Sequence, residues 1–141
     1  MPKSYIKVTE EAAKRFFSKK HSTPIVMMNL LRFKEIADYS THPHLKSAST
    51  ISGKEAYQRY MKAVMPMLAK INSEILFSGK TEQFLIGPME EMWDAILLVR
   101  HQNMKDFLAF ASNPAYLEIE GHRTAALKDS RLLPILERFL F

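Results

Sequence analysis

The chain contains 141 residues, of which 47% are hydrophobic and 25% charged, the size and composition of one globular domain with a substantial core. It has no cysteine, which excludes disulfides, thiolate catalysis, thiolate zinc sites and iron–sulfur clusters. The formal charge is +5, but the basic residues are scattered and no aromatic platform lies among them, so we predict no nucleic-acid partner.

The N-terminal third predicts a helix, a buried strand and a long loop. Thr9 is suited to an N-cap, with acidic residues in the next turn and basic residues at the far end, as the helix dipole favours. The stretch PIVMMNLLRF begins at Pro24 and is apolar on both faces except at Asn29 and Arg32, which predicts a central strand. Residues 34–52 form a polar excursion that we place at a pocket mouth or against a partner chain.

The middle of the chain predicts a second helix followed by strands. Ser52 is a suitable cap for a helix whose apolar residues recur at helical spacing, and Pro66 is expected to kink it. Residues 73–87 predict a strand or a strand pair, with Gly79 permitting a bend. Residues 93–101 predict another strand that is buried apart from its first polar residue.

The C-terminal third predicts two helices and a final strand. Asn103 is a candidate cap for a short helix, and Asn113 followed by proline begins a second helix that runs through Gly121 to residue 128. Gly121 indicates a close backbone contact or a break. Residues 131–141 predict the last strand, and Pro134 places it at a sheet edge.

The resulting order is an extra helix followed by β-α-β-β-α-β, the split βαβ plan of α+β ferredoxin-like folds. We therefore expect an antiparallel sheet with helices on one face, in a domain formed by residues 24–141 after an N-terminal helical extension at 1–23. The other sheet face would be apolar and open to water, which is costly. Pairing two such sheets covers it, so we predict a homodimer.

Four segments together resemble the domain-of-unknown-function family number 1330, within the dimeric α/β-barrel superfamily: PIVMMNLLRFK, GKEAYQRYMKAVMPML, LIGPMEEMWDAILLVR and NPAYLEIEGHRTAALKDSRLLP. The resemblance covers about residues 24 to 134 and implies a ferredoxin-like dimer whose sheets form a barrel. It implies no catalytic residues, because the family has none established. Relatives in the wider superfamily include cofactor-independent monooxygenases, haem-degrading enzymes, isomerases and binding modules, and fold alone does not choose among them.

The stretch MEEMWDAILLVRH places Asp94 at the head of an apolar strand, where a carboxylate needs a partner. Arg123 falls on the apolar stripe of the last helix, together with Tyr116. Because helices of this fold pack on the sheet, we predict that Asp94 pairs with Arg123, with Glu120 and Asp129 as rival partners for the guanidinium. The pair has two open interpretations: an ion pair that fixes helix to sheet, or part of a ligand site.

We predict a small, mostly apolar pocket between sheet and helices that binds a small organic ligand. Its predicted polar lining is Asn29, Tyr60, Asp94, Tyr116, His122 and Arg123. An anionic or carbonyl-bearing ligand fits Arg123, provided that Asp94 does not neutralise it. The asparagine and the tyrosines have an alternative interpretation as satisfied core residues.

The alternative function is that of a cofactor-independent monooxygenase or isomerase, with His122 as the candidate general base. We predict no cofactor. We also predict no metal site, because the five histidines have no carboxylate at helical ligand spacing. The first residues lack the apolar core of a signal peptide and no segment is apolar enough to span a bilayer, so we expect a cytoplasmic protein without a membrane partner.

Overall fold

A computed structural model describes residues 3–138. A four-stranded sheet in the order β2-β3-β1-β4 forms one layer, and all neighbouring strands run antiparallel. The elements in chain order are α1 (Glu10–Phe17), β1 (Ile25–Phe33), a 3₁₀ turn (Pro43–Leu45), α2 (Gly53–Lys70), β2 (Glu74–Lys80), β3 (Ala95–His101), α3 (Met104–Ser112), α4 (Pro114–Ile119), α5 (Gly121–Ala126) and β4 (Leu127–Leu136). The predicted α+β, ferredoxin-like architecture is confirmed.

The predicted helix starts are also confirmed, because each cap side chain accepts a backbone hydrogen bond from the first turn. Thr9 Oγ1 accepts from the amide of Ala12 at 3.1 Å, and Ser52 Oγ from that of Glu55 at 3.0 Å. The side-chain oxygens of Asn103 and Asn113 do the same for α3 and α4. Helix α2 runs without interruption through Pro66, which removes one backbone donor.

The core lies between the sheet and the helices. In β1, alternate residues from Ile25 to Leu31 are buried, and their partners Leu97, Val99 and His101 in β3 are buried on the same side. The intervening residues of both strands are only half-buried. One sheet face therefore packs under the helices, while the other has nothing from the described residues over its centre.

Two predicted boundaries in the C-terminal third are wrong. The last helix ends at Ala126, two residues before the predicted end, and β4 begins at Leu127, four residues earlier than predicted. The helix is also divided into α4 and α5 at Glu120, which agrees with the break that Gly121 indicated. Gly121 is the first residue of α5, and a Cβ there would lie 2.6 Å from the His42 ring, so a larger residue would force that side chain to move. Pairing of Leu127 with Phe33 of β1 overrides the helical pattern. Residues 139–141 of the predicted strand lie outside the described residues.

The second half of the predicted strand at 73–87 is also wrong, because β2 ends at Lys80 and residues 81–94 form a connection. The edge position predicted for the proline-containing last strand is confirmed, since β4 pairs only with β1.

Candidate functional site

A cavity of about 840 Å³ lies between the sheet and a cover formed by the N-terminal segment, residues 5–19. Its floor is the buried face of β1, β3 and β4, and helices α2, α3 and α4 form its walls. Most of the lining side chains are aliphatic or aromatic. Polar residues form the smaller part of the lining.

Four of the six predicted lining residues face this cavity, namely Asn29, Tyr60, Tyr116 and Arg123. Asp94 and His122 do not line it. The amide nitrogen of Asn29 donates to the carbonyl oxygens of Met27 and Leu97, both at 3.3 Å, which leaves its carbonyl oxygen as an acceptor.

The predicted ion pair between Asp94 and Arg123 is wrong. The Asp94 carboxylate is exposed and accepts a hydrogen bond from the Phe33 amide at 2.8 Å, while the Asp94 amide donates to the Leu31 carbonyl. The carboxylate therefore joins the end of β1 to the head of β3. A backbone amide is therefore the hydrogen-bond partner of the Asp94 carboxylate, for which the sequence pattern predicted a guanidinium.

The rival partners of Arg123 are not its partners either. Asp129 forms an ion pair with Arg131 at 2.8 Å and accepts a hydrogen bond from the amide of Tyr5. Glu120 lines the cavity but lies beyond ion-pair distance of the Arg123 guanidinium. Among residues 3–138, no carboxylate neutralises Arg123.

Arg123 instead holds the N-terminal segment in place. Its guanidinium donates to the Ile6 carbonyl and, at 3.4 Å, to Ser130 Oγ. The buried Ser130 hydroxyl in turn donates to the Tyr5 carbonyl. A half-buried cation at the cavity wall therefore bonds to a neutral backbone oxygen of the segment that covers the cavity and to a hydroxyl that holds the same segment.

Three tyrosines extend this polar end of the cavity. The hydroxyls of Tyr60 and Tyr116 lie 2.8 Å apart. Burial raises the pKa of Tyr57 to about 12, raises that of Tyr60 well above its ordinary value, and also raises that of Tyr116, with the nearby Arg123 opposing each shift. The phenols are therefore protonated near neutral pH. Since a hydrogen bond between two hydroxyls uses only one of their two protons, the second remains available to a ligand.

His101 is a cavity residue that the sequence reasoning missed. It is 2% exposed, and its Nδ1 lies 2.7 Å from the hydroxyl of Ser73. Burial lowers its pKa to about 4 against the opposing charge of Asp106, so the ring is neutral. No described residue forms a hydrogen bond with Nε2. The alternation of β3 contained the signal, because His101 is in phase with the buried Leu97 and Val99.

The model of the family described as "Domain of unknown function (DUF1330)" matches residues 45–135. The chain belongs to this family. A protein of unknown function from Rhodopseudomonas palustris is similar, with 29% sequence identity and a TM-score of 0.86 over 96% of this chain and 98% of that one. The DUF1330 resemblance predicted from the sequence is confirmed.

More distant structures share the fold alone. A dimeric ferredoxin-like protein of unknown function from Bacteroides fragilis has a TM-score of 0.50 at 12% identity, covering 84% of this chain and 100% of that one. A hydroxynitrile lyase from Passiflora edulis has a TM-score of 0.55 at 13% identity, covering 86% and 99%. No curated protein matches the sequence.

His122 of this DUF1330 protein, unlike the next residue, Arg123, does not line the cavity. Its Nδ1 is 2.7 Å from the Tyr39 hydroxyl, and burial lowers its pKa, aided by the charges of Arg59 and His44. Residues 36–51 form a separate cleft of about 370 Å³ there, and no residue of the 34–52 loop lines the main cavity. The loop is therefore not at the cavity mouth.

No group of three or more histidine, aspartate or glutamate side chains is placed to hold a metal ion between residues 3 and 138. No helix in that range combines the length and the apolar character needed to cross a membrane.

Proposed function

We propose that this protein is a homodimer that binds a small organic ligand in the cavity between its sheet and its helices. The observation that supports this is a cavity of about 840 Å³ with apolar walls and a few convergent polar groups. Small-molecule sites in proteins are typically clefts of about 300–1,000 Å³ with this composition. The Arg123 guanidinium, the tyrosine hydroxyls and the Asn29 carbonyl would orient the ligand.

The dimer is supported by the sheet face that the helices do not cover. Phe77 and Leu133 on that face are 57% and 52% exposed, and they lie beside the half-buried Met28 and Leu98. A contiguous apolar surface of this kind marks a contact site. The Bacteroides fragilis protein of the same fold is described as dimeric, which agrees with a second copy of this chain as the partner.

An enzyme remains the second candidate, as a cofactor-independent monooxygenase or isomerase. The observation that favours it is His101, a neutral buried imidazole in the cavity wall, with Nε2 free of partners among the described residues. His122 is a poor general base for this cavity because it does not line it. The Passiflora edulis hydroxynitrile lyase shows that the fold supports an enzyme.

Binding is tested by blocking the cavity. Met61 lines it from α2, whereas Met65 on the same helix is 53% exposed and outside it. Fluorescence of 1-anilinonaphthalene-8-sulfonate should increase on binding to the wild type and to Met65→Trp, and should fall sharply in Met61→Trp. Equal fluorescence in all three proteins would place the dye elsewhere and contradict a ligand cavity.

A further inference from the structure

The strongest unexplained feature is the unneutralised Arg123 at the cavity wall. Arg123 donates hydrogen bonds to the Ile6 carbonyl and to the hydroxyl of Ser130, and both acceptors are neutral. Ser130 itself donates to the Tyr5 carbonyl. Backbone oxygens of two neighbouring residues thus accept hydrogen bonds from a guanidinium and a hydroxyl, donors that can also bind a carboxylate.

The segment that supplies these oxygens spans the whole cavity. Ser130 lies opposite Leu31 of β1, and His101 lies opposite Ile25. These two β1 residues are six positions apart, so the two ends of the cavity are about 20 Å apart along the strand. Tyr5 lies at the Ser130 end, and Phe17 stacks on Phe107 near His101 at the other end. The segment therefore covers the cavity from end to end.

The cover is attached lightly enough to be displaced. None of the residues of α1 is buried, although its apolar side faces the cavity. The first part of the N-terminal segment is held by hydrogen bonds that its carbonyl oxygens accept from Arg123 and Ser130, and by the Tyr5 amide, which donates to Asp129. Elements with few buried contacts open at low free energy.

We infer that the cavity binds a monocarboxylate with an apolar body, whose carboxylate displaces the Tyr5 and Ile6 carbonyls from Ser130 and Arg123 and lifts the N-terminal segment. This inference rests on the proposed binding function and names its ligand class. An ionised acceptor replaces neutral ones on the same donors, which strengthens those hydrogen bonds. The aromatic side chains at the far end suit an aryl or alkyl body.

The charge of the site favours an anionic group beside Arg123. Arg123 is a half-buried lining cation with no carboxylate partner among residues 3–138, whereas Arg131 is paired with Asp129. The other lining cations, Lys7, Arg15 and Lys19, are exposed on the N-terminal segment that the ligand displaces. Glu120 lines the same cavity close enough to Tyr116 for its charge to raise the pKa of that phenol, so a second negative charge at that end would be repelled.

The test compares two probes of nearly the same shape, the anionic 4-phenylbutanoate and the neutral 4-phenylbutanamide, by titration calorimetry at pH 7. The wild type should bind the acid at least about 10-fold more tightly than the amide, because charge-assisted bonds are roughly twice as strong as neutral ones. Arg123→Gln should remove this preference. Arg59→Gln is the matched control and should retain it, since this exposed arginine lies outside the cavity lining and its guanidinium donates to Ser47.

Two more variants keep the test decisive if Arg123→Gln fails to fold. Arg123→Lys keeps the charge without the forked geometry and should retain part of the preference. Ser130→Ala removes the hydroxyl and should weaken acid binding alone. Hydrogen exchange in the full chain should show faster exchange of residues 3–9 with the acid bound, and no change with the amide.

The possible failures are distinguishable. Equal affinity for acid and amide would overturn the carboxylate subsite and leave a ligand cavity in place. Tight acid binding without faster exchange at residues 3–9 would overturn displacement of the N-terminal segment. Binding of neither probe would overturn the ligand class, and the dye experiment with Met61→Trp would then decide the proposed function separately.

Discussion

Asp94 and Arg123 each bond to the backbone of a different segment, and this determines what each residue contributes. The exposed Asp94 carboxylate accepts from the Phe33 amide and so connects two strands. The half-buried Arg123 donates to the Ile6 carbonyl, so its positive charge stays available at the cavity. Asp94 and Arg123 therefore have separate roles, because their side chains contact different segments.

Asp94→Ala should lower the free energy of unfolding by about 0.5–1.5 kcal/mol, the contribution of one hydrogen bond whose donor can turn to water. Asp94→Asn keeps an acceptor oxygen and should cost less. In a double-mutant cycle with Arg123→Gln, measured by urea unfolding, the coupling energy should be within about 0.5 kcal/mol of zero. A coupling above about 1 kcal/mol would mean that the two side chains meet.

His101 should make stability depend on pH. Its pKa of about 4 in the folded chain lies below the value of 6.5 for an unperturbed histidine, so the unfolded chain binds more protons between these values. The contribution is fully present above pH 6.5 and is lost as the pH falls to about 4, by at most about 3 kcal/mol.

The measurement is ¹⁵N NMR of the imidazole during a pH titration, together with urea unfolding of the wild type and of His101→Asn. The His101 ring should remain neutral at pH 5.5, and the variant should lose the corresponding slope of stability against pH. His122 is an internal comparison, because burial also lowers its pKa although it does not line the cavity. Protonation of His101 near pH 6.5 would contradict its burial.

Three segments of backbone meet at Gly53. A Cβ at this first residue of α2 would lie 2.2 Å from the Lys34 carbonyl oxygen and 2.6 Å from that of Ala126. Both atoms belong to backbone that is hydrogen-bonded, because the Gly53 amide donates to Lys34 and the Lys34 amide donates to Ala126. The end of β1, the end of α5 and the start of α2 therefore depend on glycine here.

Gly53→Ala should lower the free energy of unfolding by about 1–3 kcal/mol or more, since backbone must shift to admit the methyl group. Gly79→Ala is the matched control. Its Cβ would meet the ring of Phe77 at 3.1 Å, and that exposed side chain can rotate away. Urea unfolding of both variants tests the comparison, and equal losses of stability would contradict it.

The element order could be predicted because capping residues and apolar periodicity are local. Asn103 and Asn113 cap α3 and α4 as predicted, and the proline-containing β4 lies at the edge. The early start of β4 could not be predicted, because pairing with β1 decides it. Nor could the partners of Arg123, since the Ile6 carbonyl that it binds is 117 residues away and any residue type supplies such an oxygen.

The two faces of the sheet have different roles in the protein. The face under the helices holds the core and the cavity, and the N-terminal segment covers the part that the helices leave open. The opposite face carries apolar side chains that no described residue covers at its centre. A ligand that lifts the N-terminal segment would therefore act on one face without disturbing an interface on the other.

Leu133→Lys should convert a dimer into a monomer, because it places a charge on the uncovered face, where Leu133 pairs with Met28 of β1. Leu117→Lys is the matched control, with the same change at a leucine that is 53% exposed on α4, against 52% for Leu133. Light scattering on a sizing column at micromolar concentration should give twice the chain mass for the wild type and Leu117→Lys, and the chain mass for Leu133→Lys. Circular dichroism should show the same secondary structure in all three, since Leu133 contributes to the surface and not to the core. A wild-type monomer would remove the homodimer from the proposed function while leaving the cavity, which lies on the other face of the sheet, open to the ligand experiments.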